Sequence, residues 1–527
     1  MAAATPDISS VGDALEGLVH QFSDPWAFLR ELIQNAIDAG SAQIDVRIEH
    51  DAGRGMMLIE VVDSGEGMSR EIIDTKLTRL FSSAKEGDYT KIGKFGIGFV
   101  SVFAIDPEIV CVDTGRAGEW WRVVFRRDRS FERIRLSEPV EGTTVRLYRA
   151  ASANEVEAAR QKARETLEYW CKHVRVELRL DGALVSGALD LEGLCKVEHR
   201  EEGSHLVMAL VPEAAGLRGY YHGGLTLHEE RDESLPHVAF KLDSRFLEHS
   251  LTRDNVIRDE NYAKAMAIVG EVARTRLVNE LLATLERGAA AGLDARAREL
   301  LYRAATRHLD RGAAAWMKPA LVPMLGGPPA SLASLRGGKL WRATRMSPVV
   351  EKLLADRQRV VACAAGDAVE AFVFAGSGVR PAGIDGLCTA VAIEVEAQAA
   401  WEPLCAALTT IIKAGGWKVR EVVVGSLDYV DSTVRGRPAI SQAKFGELTP
   451  LADIGQMASG WLTTGRVLVL AAEHPTLQHL RVVAAREPEL AGYLALKAFF
   501  LHGEVGSVSD AKLATTAAEA RWRRMVR

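Results

Sequence analysis

The strongest constraint on the fold lies near the N-terminus, where one helical pattern is followed at once by two strand patterns. Residues 29–40, LRELIQNAIDAG, place apolar side chains at the spacing of an amphipathic helix. Residues 42–49 alternate apolar and polar side chains, and an apolar run at 56–62 follows a turn containing glycine. A helix packed on a mainly antiparallel sheet satisfies this order. We therefore predict an α/β sandwich for residues 1–185.

The rest of the chain predicts additional α/β domains, because 527 residues are too many for one core. Helical patterns run over 260–287 and 294–310, and the apolar runs VVACAA, EAFVFAG and TAVAIEV predict strands farther along. Helices are predicted again from 475 to the end. The expected fold class is multidomain α/β, with segments at 1–185, 186–312, 313–399 and 400–527.

Composition limits the classes of function. Lys plus Arg total 65 and Asp plus Glu total 70, and the net charge of −5 argues against a chain that mainly grips nucleic acid. Six scattered cysteines without a CxxC pair disfavour zinc and disulfide frameworks. The N-terminus lacks a signal-like segment, and no run of about 18 apolar residues occurs. We expect a cytoplasmic protein without a membrane segment.

A polar stripe crosses the first predicted helix. Glu31, Asn35 and Asp38 fall on the side opposite the apolar face, and no Lys or Arg lies three or four residues from Glu31. Such a stripe is most simply a solvated helix face. The alternative is a set of carboxylate and amide groups that serves chemistry.

The second predicted strand runs directly into DSGEGM, which begins at Asp63. An Asp followed by Gly65 and Gly67 is a common strand-to-loop turn. It is also what a base-binding pocket needs: a carboxylate to accept a hydrogen bond from an exocyclic amine, and glycines that let a planar ring approach. Met68 would then supply a soft apolar contact.

A glycine-rich segment, GKFGIG at 93–98, precedes an apolar helical pattern. Glycines expose backbone N–H groups, and a helix N-terminus favours anions. Lys85 and Lys94 would add positive charge. The segment alone is weak evidence for phosphate binding, and it is not the dinucleotide fingerprint.

The order of these motifs is more informative than any one of them. Together they would supply a Mg²⁺ ligand (Asn35), an adenine acceptor (Asp63), a phosphate cradle (93–99) and a carboxylate for water (Glu31). Hydrolysis of a phosphoanhydride needs these parts. This combination favours a catalytic interpretation of the polar stripe.

The chain resembles the heat-shock protein 90 chaperones, in the GHKL superfamily of gyrase, chaperone, histidine-kinase and MutL ATPases. FSDPWAFLRELIQNAIDAG is similar to the family's N-box, and VVDSGEGM to its adenine-binding box. LFSSAKEG, IGKFGIGFVSVF and GTTVRL resemble its lid start, phosphate loop and closing Thr turn. LPHVAFKLDSRFLEHSLTRDNV resembles the segment with the catalytic arginine, and KVREVVVGSL, GRPAIS and AAEHPTLQHLR more faintly resemble the dimerisation domain.

The resemblance implies a GHKL-type (Bergerat) ATP-binding sandwich, an α/β middle domain and an α+β dimerisation domain. Glu31 would be the general base, and Arg253 would reach the γ-phosphate. Asn35 would bind Mg²⁺, Asp63 would bind the adenine amine, and Thr143 would help to hold the base. The full set of expected ATP contacts is Asn35, Asp38, Asp63, Gly67, Met68, Lys85, Gly93, Lys94, Phe95, Gly96, Ile97, Gly98, Phe99 and Thr143.

The resemblance also implies partners: ATP and ADP, client proteins, and a second copy joined through residues 400–527. An apolar helical pattern at Leu477, Leu480, Val483, Leu490 and Leu494 is expected to bury in that two-fold interface. A nucleic-acid-associated ATPase of the same superfamily, MutL-like or MORC-like, is the alternative. A histidine kinase is a third interpretation, but no phospho-acceptor helix precedes the N-box.

Overall fold

The computed structural model of the chain describes residues 24–78, 97–248, 255–309, 313–416, 418–454, 465–499 and 507–526. The chain divides into two compact units, Met1–Glu280 and Leu281–Arg527. None of the helices formed by the described residues has the length and apolar character needed to cross a membrane. Both units mix helices and sheets, which confirms the predicted multidomain α/β class.

The first helix, α1, spans Phe28–Asp38 and confirms the helix predicted from periodicity. A short 3₁₀ turn, Pro25–Ala27, precedes it and is capped by the side chain of Asp24. The helix buries its apolar face against the sheet and ends before Gly40, whose φ of 75° suits glycine. The buried apolar residues of α1 are Phe28, Leu29, Leu32, Ile33 and Ala36.

An eight-stranded sheet forms the second layer of the N-terminal sandwich. Its order is β5-β4-β3-β6-β2-β1-β7-β8, and only the β1–β7 pair is parallel among these neighbours. The strands are β1 (Gln43–Asp51), β2 (Met56–Asp63), β3 (Ile109–Arg116), β4 (Glu119–Arg126), β5 (Phe131–Arg135), β6 (Thr143–Ala150), β7 (Glu177–Leu180) and β8 (Ala183–Leu184). The associated helical segments are α2 (Arg70–Ile72), the π turn Ile73–Leu77, α3 (Ile97–Val100), the 3₁₀ turn Ser101–Ile105 and α4 (Ala153–Trp170).

A five-stranded sheet and one helix complete the first unit, and a second helix, Arg276–Ala291, continues past the boundary at Glu280. The sheet order is β12-β11-β13-β10-β9, with β11 and β13 parallel. The helical pattern predicted over 260–287 is divided at Thr275, so one predicted helix is two in the structure. The elements are β9 (Leu194–Glu201), β10 (Ser204–Leu210), β11 (Gly216–His222), β12 (Leu225–Asp232), β13 (Val238–Ser244), α5 (Glu260–Arg274) and α6 (Arg276–Ala291).

The second unit contains short sheets between helices. Its helices are α7 (Ala295–Leu309), α8 (Ala313–Met317), α9 (Pro348–Ala355), α10 (Ala368–Ser377), α11 (Val395–Ala399), α12 (Glu402–Ala414), α13 (Pro475–Ala484), α14 (Pro488–Phe499) and α15 (Ser507–Val526), with 3₁₀ turns at Ala333–Leu335, Ile384–Gly386 and Leu451–Asp453. Its strands are β14 (Leu340–Ala343), β15 (Arg359–Ala362), β16 (Ala382–Gly383), β17 (Leu387–Cys388), β18 (Val419–Gly425), β19 (Ala439–Gln442), β20 (Thr449–Pro450) and β21 (Arg466–Ala471).

Two predicted strands of this unit are wrong. The run TAVAIEV, at 389–395, forms no strand, and only its Val391 makes an isolated bridge, with Ser426. The run EAFVFAG lies inside the helix α10, and the side chain of Asp367 caps that helix by accepting from the N–H groups of Val369 and Glu370. The six consecutive apolar or small residues after Glu370 fit a buried strand and a buried helix equally well, so the cap decides between them. The runs WEPLCAALTTIIKAG and KVREVVVGSL form the helix α12 and the strand β18.

The predicted interface pattern of the last helices is only partly available to a partner. Leu477 and Leu480 on α13 are buried in the unit's own core, so their proposed place in an interface is wrong. Val483 of α13, and Leu490 and Leu494 of α14, are exposed. These three residues, with exposed Val482, form what we call the α13–α14 patch.

Candidate nucleotide site

Glu31 is buried, although its helix position places it in the polar stripe that would be expected to face solvent. Its side chain is only 3% exposed, whereas Asn35 and Asp38 are exposed. A Cβ added to Gly98 would lie 2.6 Å from Oε2 of Glu31, so the carboxylate rests directly against the backbone at the end of the glycine-rich segment. The fold thus brings together two motifs that are separated by more than sixty residues in the sequence.

The neighbouring residue, Arg30, helps to fix this placement. Its guanidinium is buried and lies 4.6 Å from the ring centroid of Trp170 at the end of α4. Burial lowers the pKa of Arg30 to about 10. This contact joins α1 to the end of α4 at the position next to Glu31.

Asp63 ends β2 and lies in a row of residues across three neighbouring strands. It pairs with Thr143 of β6, which in turn pairs with Thr114 of β3. Oδ1 of Asp63 accepts hydrogen bonds from the N–H of Gly65 at 2.8 Å and from the N–H of Thr143 and Oγ of Ser41, both at 3.3 Å. Its other oxygen accepts no hydrogen bond from the residues that the structure describes.

Burial raises the pKa of Asp63 above its ordinary value, and the hydrogen bonds from Gly65, Ser41 and Thr143 act against that rise. A half-buried carboxylate with one oxygen anchored and one oxygen available can accept a hydrogen bond from a ligand amine. This is the arrangement expected of a group that recognises an adenine base.

Thr114 links the two glycine turns beside Asp63. Its Oγ1 accepts from the N–H of Met68 at 2.9 Å and donates to the carbonyl of Gly142 at 3.2 Å, and it lies 3.1 Å from Oγ1 of Thr143. Gly67 has a φ of 67°, and a Cβ there would lie 2.1 Å from the carbonyl oxygen of Gly115. The turn that contains Met68 therefore contacts the end of β3 closely.

Sequence reasoning missed Ser41 and Thr114. Ser41 follows Gly40 immediately after α1, and only its contact with Asp63 marks it as part of the site. Thr114 lies within a strand whose sequence carries no motif. The pairing of β3, β6 and β2 is the signal that would have found it.

Several predicted site residues lie outside the described residues: Lys85, Gly93, Lys94, Phe95, Gly96 and Arg253. Ile97 begins the short helix α3, and Phe99 buries its ring 5.4 Å from that of Phe125. Asp38 accepts a hydrogen bond from Gln34 at 3.4 Å. The structure thus brings Glu31 against Gly98, and separately brings Asp63 and Met68 close to Thr143.

A cleft of about 690 Å³ opens at the same end of the sheet, and its lining includes Asp63, Gly65 and Gly142 but neither Glu31 nor Asn35. Gln43 and Asp45 form part of its wall, on the face of β1 that points away from the core. Because Asp63 bonds to Ser41 on the helix side, we place the candidate nucleotide site between α1 and the sheet and not in this outer cleft.

Comparison with known proteins agrees with this geometry. Residues 23–140 match the family described as histidine kinase-, DNA gyrase B- and HSP90-like ATPase. The N-terminal sandwich, which contains this segment, is therefore similar to that class of ATPase domains.

The relatives are chaperones named HtpG. The chain is 34% identical to the Chaperone protein HtpG of Alcanivorax borkumensis over 141 residues, which cover 21% of this chain and 22% of that protein. It is 30% identical to the one from Methylococcus capsulatus over 172 residues, 27% of each chain. It is 28% identical to the one from Rhodospirillum rubrum over 207 residues, which cover 33% of this chain and 32% of that protein. These matches span at most 32% of a relative's length.

Proposed function

We propose that the N-terminal sandwich binds ATP and hydrolyses it with Glu31 as the general base. The observation that carries this proposal is the buried Glu31 carboxylate against Gly98, at the end of the segment expected to hold phosphates. Asp63 would accept a hydrogen bond from the adenine amine through its available oxygen, with Thr143 beside it. Glu31 would accept a proton from the attacking water.

Magnesium fits the same helix. Asn35 lies one helical turn after Glu31, and its side chain is exposed. Mg²⁺ prefers oxygen ligands and is usually held by few protein groups together with substrate phosphates. We therefore propose the amide oxygen of Asn35 as its protein ligand, and the ion would neutralise charge on the phosphates. The roles of Lys85, the 93–96 segment and Arg253 rest on the sequence resemblance.

We further propose that the whole chain is an ATP-dependent chaperone of the heat-shock protein 90 type, acting on client proteins in the cytoplasm. The relatives are named chaperones, and the sequence resemblance continues past the ATPase domain to the segment around Arg253. The six cysteines of the chain are scattered and none form a CxxC pair, which supports a reducing compartment.

A homodimer is part of this proposal, and the α13–α14 patch is its candidate interface. Val482, Val483, Leu490 and Leu494 expose apolar surface on two consecutive helices. Exposed apolar surface of this kind is typical of association sites. A two-fold interface through this patch would bury it in both copies.

The dimer is tested by sedimentation at micromolar concentration. Leu490→Lys places a charge in the patch and should shift the protein from dimer to monomer. Leu184→Lys is the matched control, since Leu184 is an exposed leucine in the first unit. A wild-type protein that sediments as a monomer would contradict the dimer.

The chaperone proposal is tested by measuring ATP turnover against protein concentration, with and without an unfolded protein. We expect turnover per chain to rise with concentration and to change when the unfolded protein is added. Turnover that depends neither on protein concentration nor on the unfolded protein would contradict the chaperone proposal. The alternative, a nucleic-acid-associated ATPase, predicts DNA binding that weakens steeply with salt, and absence of such binding would exclude it.

A further inference from the structure

One turn of the five-stranded sheet packs into the ATPase domain. We call residues 222–226, between β11 and β12, the hairpin tip. Leu225 is buried within the hydrophobic core of the N-terminal sandwich. Oγ1 of Thr226 donates to the carbonyl of Tyr169 in α4 at 2.6 Å. The tip is therefore packed into the ATPase domain although it belongs to the next sheet.

Gly224 makes the closest approach in this joint. Its φ is 83°, and a Cβ there would lie 2.1 Å from the carbonyl oxygen of His173 and 2.7 Å from Cα of Val174. Its neighbour Gly223 has a similar φ of 60°, but a Cβ there would meet nothing within 4 Å. Substitution of either glycine would therefore strain the backbone, because both have a positive φ. Only at Gly224 would the new side chain also clash with neighbouring atoms.

Charged groups reinforce the joint on β13. Asp243 is only 5% exposed, and its Oδ1 accepts from the N–H of Gly224 at 3.1 Å. Its Oδ2 accepts from Arg175 of the ATPase domain, also at 3.1 Å. On the same strand, the Lys241 ammonium lies 2.9 Å from Nε2 of His173. One carboxylate therefore bonds both to the tip and to the ATPase domain.

The tip also reaches the segment that follows β13. Nδ1 of His222 lies 2.9 Å from the carbonyl oxygen of Leu247, where it can donate. The N–H of Ile257 donates to the carbonyl of Glu248 at 2.8 Å, which joins the backbone at these two residues. We call residues 247–248 and 255–257 the loop base. It flanks the stretch of sequence that contains Arg253.

We propose that the hairpin tip sets the position of the loop base relative to the ATPase domain, and that His222, Gly224 and Asp243 are positioning residues for the hydrolysis step. This inference rests on the proposed function, in which Arg253 reaches the γ-phosphate. A path of direct contacts runs from His173 through Gly224 and Asp243 to β13, and from His222 to Leu247. Disturbing the tip displaces the loop base, while Asp63 and Glu31 keep their surroundings.

The test compares Gly224→Ala with Gly223→Ala in the full-length chain. Single-turnover hydrolysis and calorimetric ATP affinity are measured for both. Because an ångström-scale misplacement is costly to catalysis, Gly224→Ala should slow hydrolysis by at least about tenfold relative to Gly223→Ala. Both variants should keep the wild-type ATP dissociation constant within about twofold, since the loss falls on the transition state.

Asp243→Asn covers the case in which Gly224→Ala does not fold. The amide keeps the shape and the acceptor for the Gly224 N–H but loses the charge that faces Arg175. Asp243→Asn should likewise hydrolyse ATP more slowly while it keeps the wild-type ATP affinity. Equal hydrolysis by the two alanine variants, or a proportional loss of ATP affinity, would overturn the positioning role.

A second readout separates this inference from the proposed function. Amide hydrogen exchange at Ile257 reports whether the loop base is held, and it needs no nucleotide. Exchange should be faster in Gly224→Ala than in Gly223→Ala. A wild-type chain that does not hydrolyse ATP would refute both the proposed function and a role of the tip in hydrolysis. Equal exchange in the two variants would refute the mechanical link alone.

Discussion

Asp63→Asn separates recognition of the base from folding. The carboxamide has the shape of the carboxylate, and its oxygen can accept the three hydrogen bonds that Oδ1 receives from Gly65, Thr143 and Ser41. The second oxygen becomes an NH₂ group. This donor would face the donor amine of adenine, so the change acts on the nucleotide contact and spares the protein contacts.

The expected loss follows from the charge on that contact. A hydrogen bond to a charged group contributes about 1.5–3 kcal/mol. Since about 1.4 kcal/mol corresponds to a factor of ten, the ATP dissociation constant should rise by about 10-fold to 150-fold.

The free energy of unfolding should not fall in the same variant. Burial raises the pKa of Asp63 above 3.8, so the unfolded chain loses this proton at lower pH than the folded chain. Stability from this group therefore decreases as the pH rises from 3.8 through the raised pKa, and it stays lower above it. Asparagine removes that cost, and the variant at pH 7 should be as stable as the wild type or more stable.

Calorimetric titration with ATP and urea unfolding at pH 7 measure the two quantities. Asp45→Asn is the matched control, because Asp45 lies on the face of β1 that points away from the core. An unchanged ATP affinity in Asp63→Asn would refute the adenine role. A loss of affinity accompanied by a large loss of stability would refute the claim that the contact is with the nucleotide alone.

Two further changes test the site and the joint. A Cβ at Gly98 would lie 2.6 Å from Oε2 of Glu31 and displace that carboxylate, so Gly98→Ala should slow hydrolysis by about tenfold or more. Unchanged turnover in Gly98→Ala would contradict the placement of Glu31. Burial, with help from Lys241 and Lys172, lowers the pKa of His173 from 6.5 to about 4. The contribution of neutral His173 to the free energy of unfolding is therefore fully present above pH 6.5, and it is lost as the pH falls toward 4. Measured by urea unfolding, the free energy of unfolding should fall less between pH 6.5 and pH 4 in His173→Gln than in the wild type. Equal decreases in the two proteins would refute this role of His173.

Local periodicity predicted the elements that carry the site. The helix at 29–40 and the strands that became β1 and β2 were readable because each repeats apolar residues at its own period. The turn after Asp63 was marked by its glycines. Gly67 is required because the Gly115 carbonyl approaches it closely. Gly115 lies on a strand that is distant in sequence, so no local pattern predicts this contact.

Other features depend on contacts that no local pattern encodes. Glu31 lies on a polar stripe by sequence, yet the approach of Gly98 buries it. Thr114 enters the site only because β3 pairs with β6. The break at Thr275 follows no proline or glycine, so the sequence indicated one helix where the structure has two.

The most direct test of the account is to compare ATP hydrolysis and ATP affinity in the wild type and in Glu31→Ala. Removing a general base typically lowers turnover by about 10²–10⁴-fold. We expect that loss together with an ATP dissociation constant unchanged within about twofold. Gln34→Ala on the same helix is the control and should behave as the wild type. Normal turnover in Glu31→Ala would contradict the central claim, that the buried carboxylate beside Gly98 activates the attacking water.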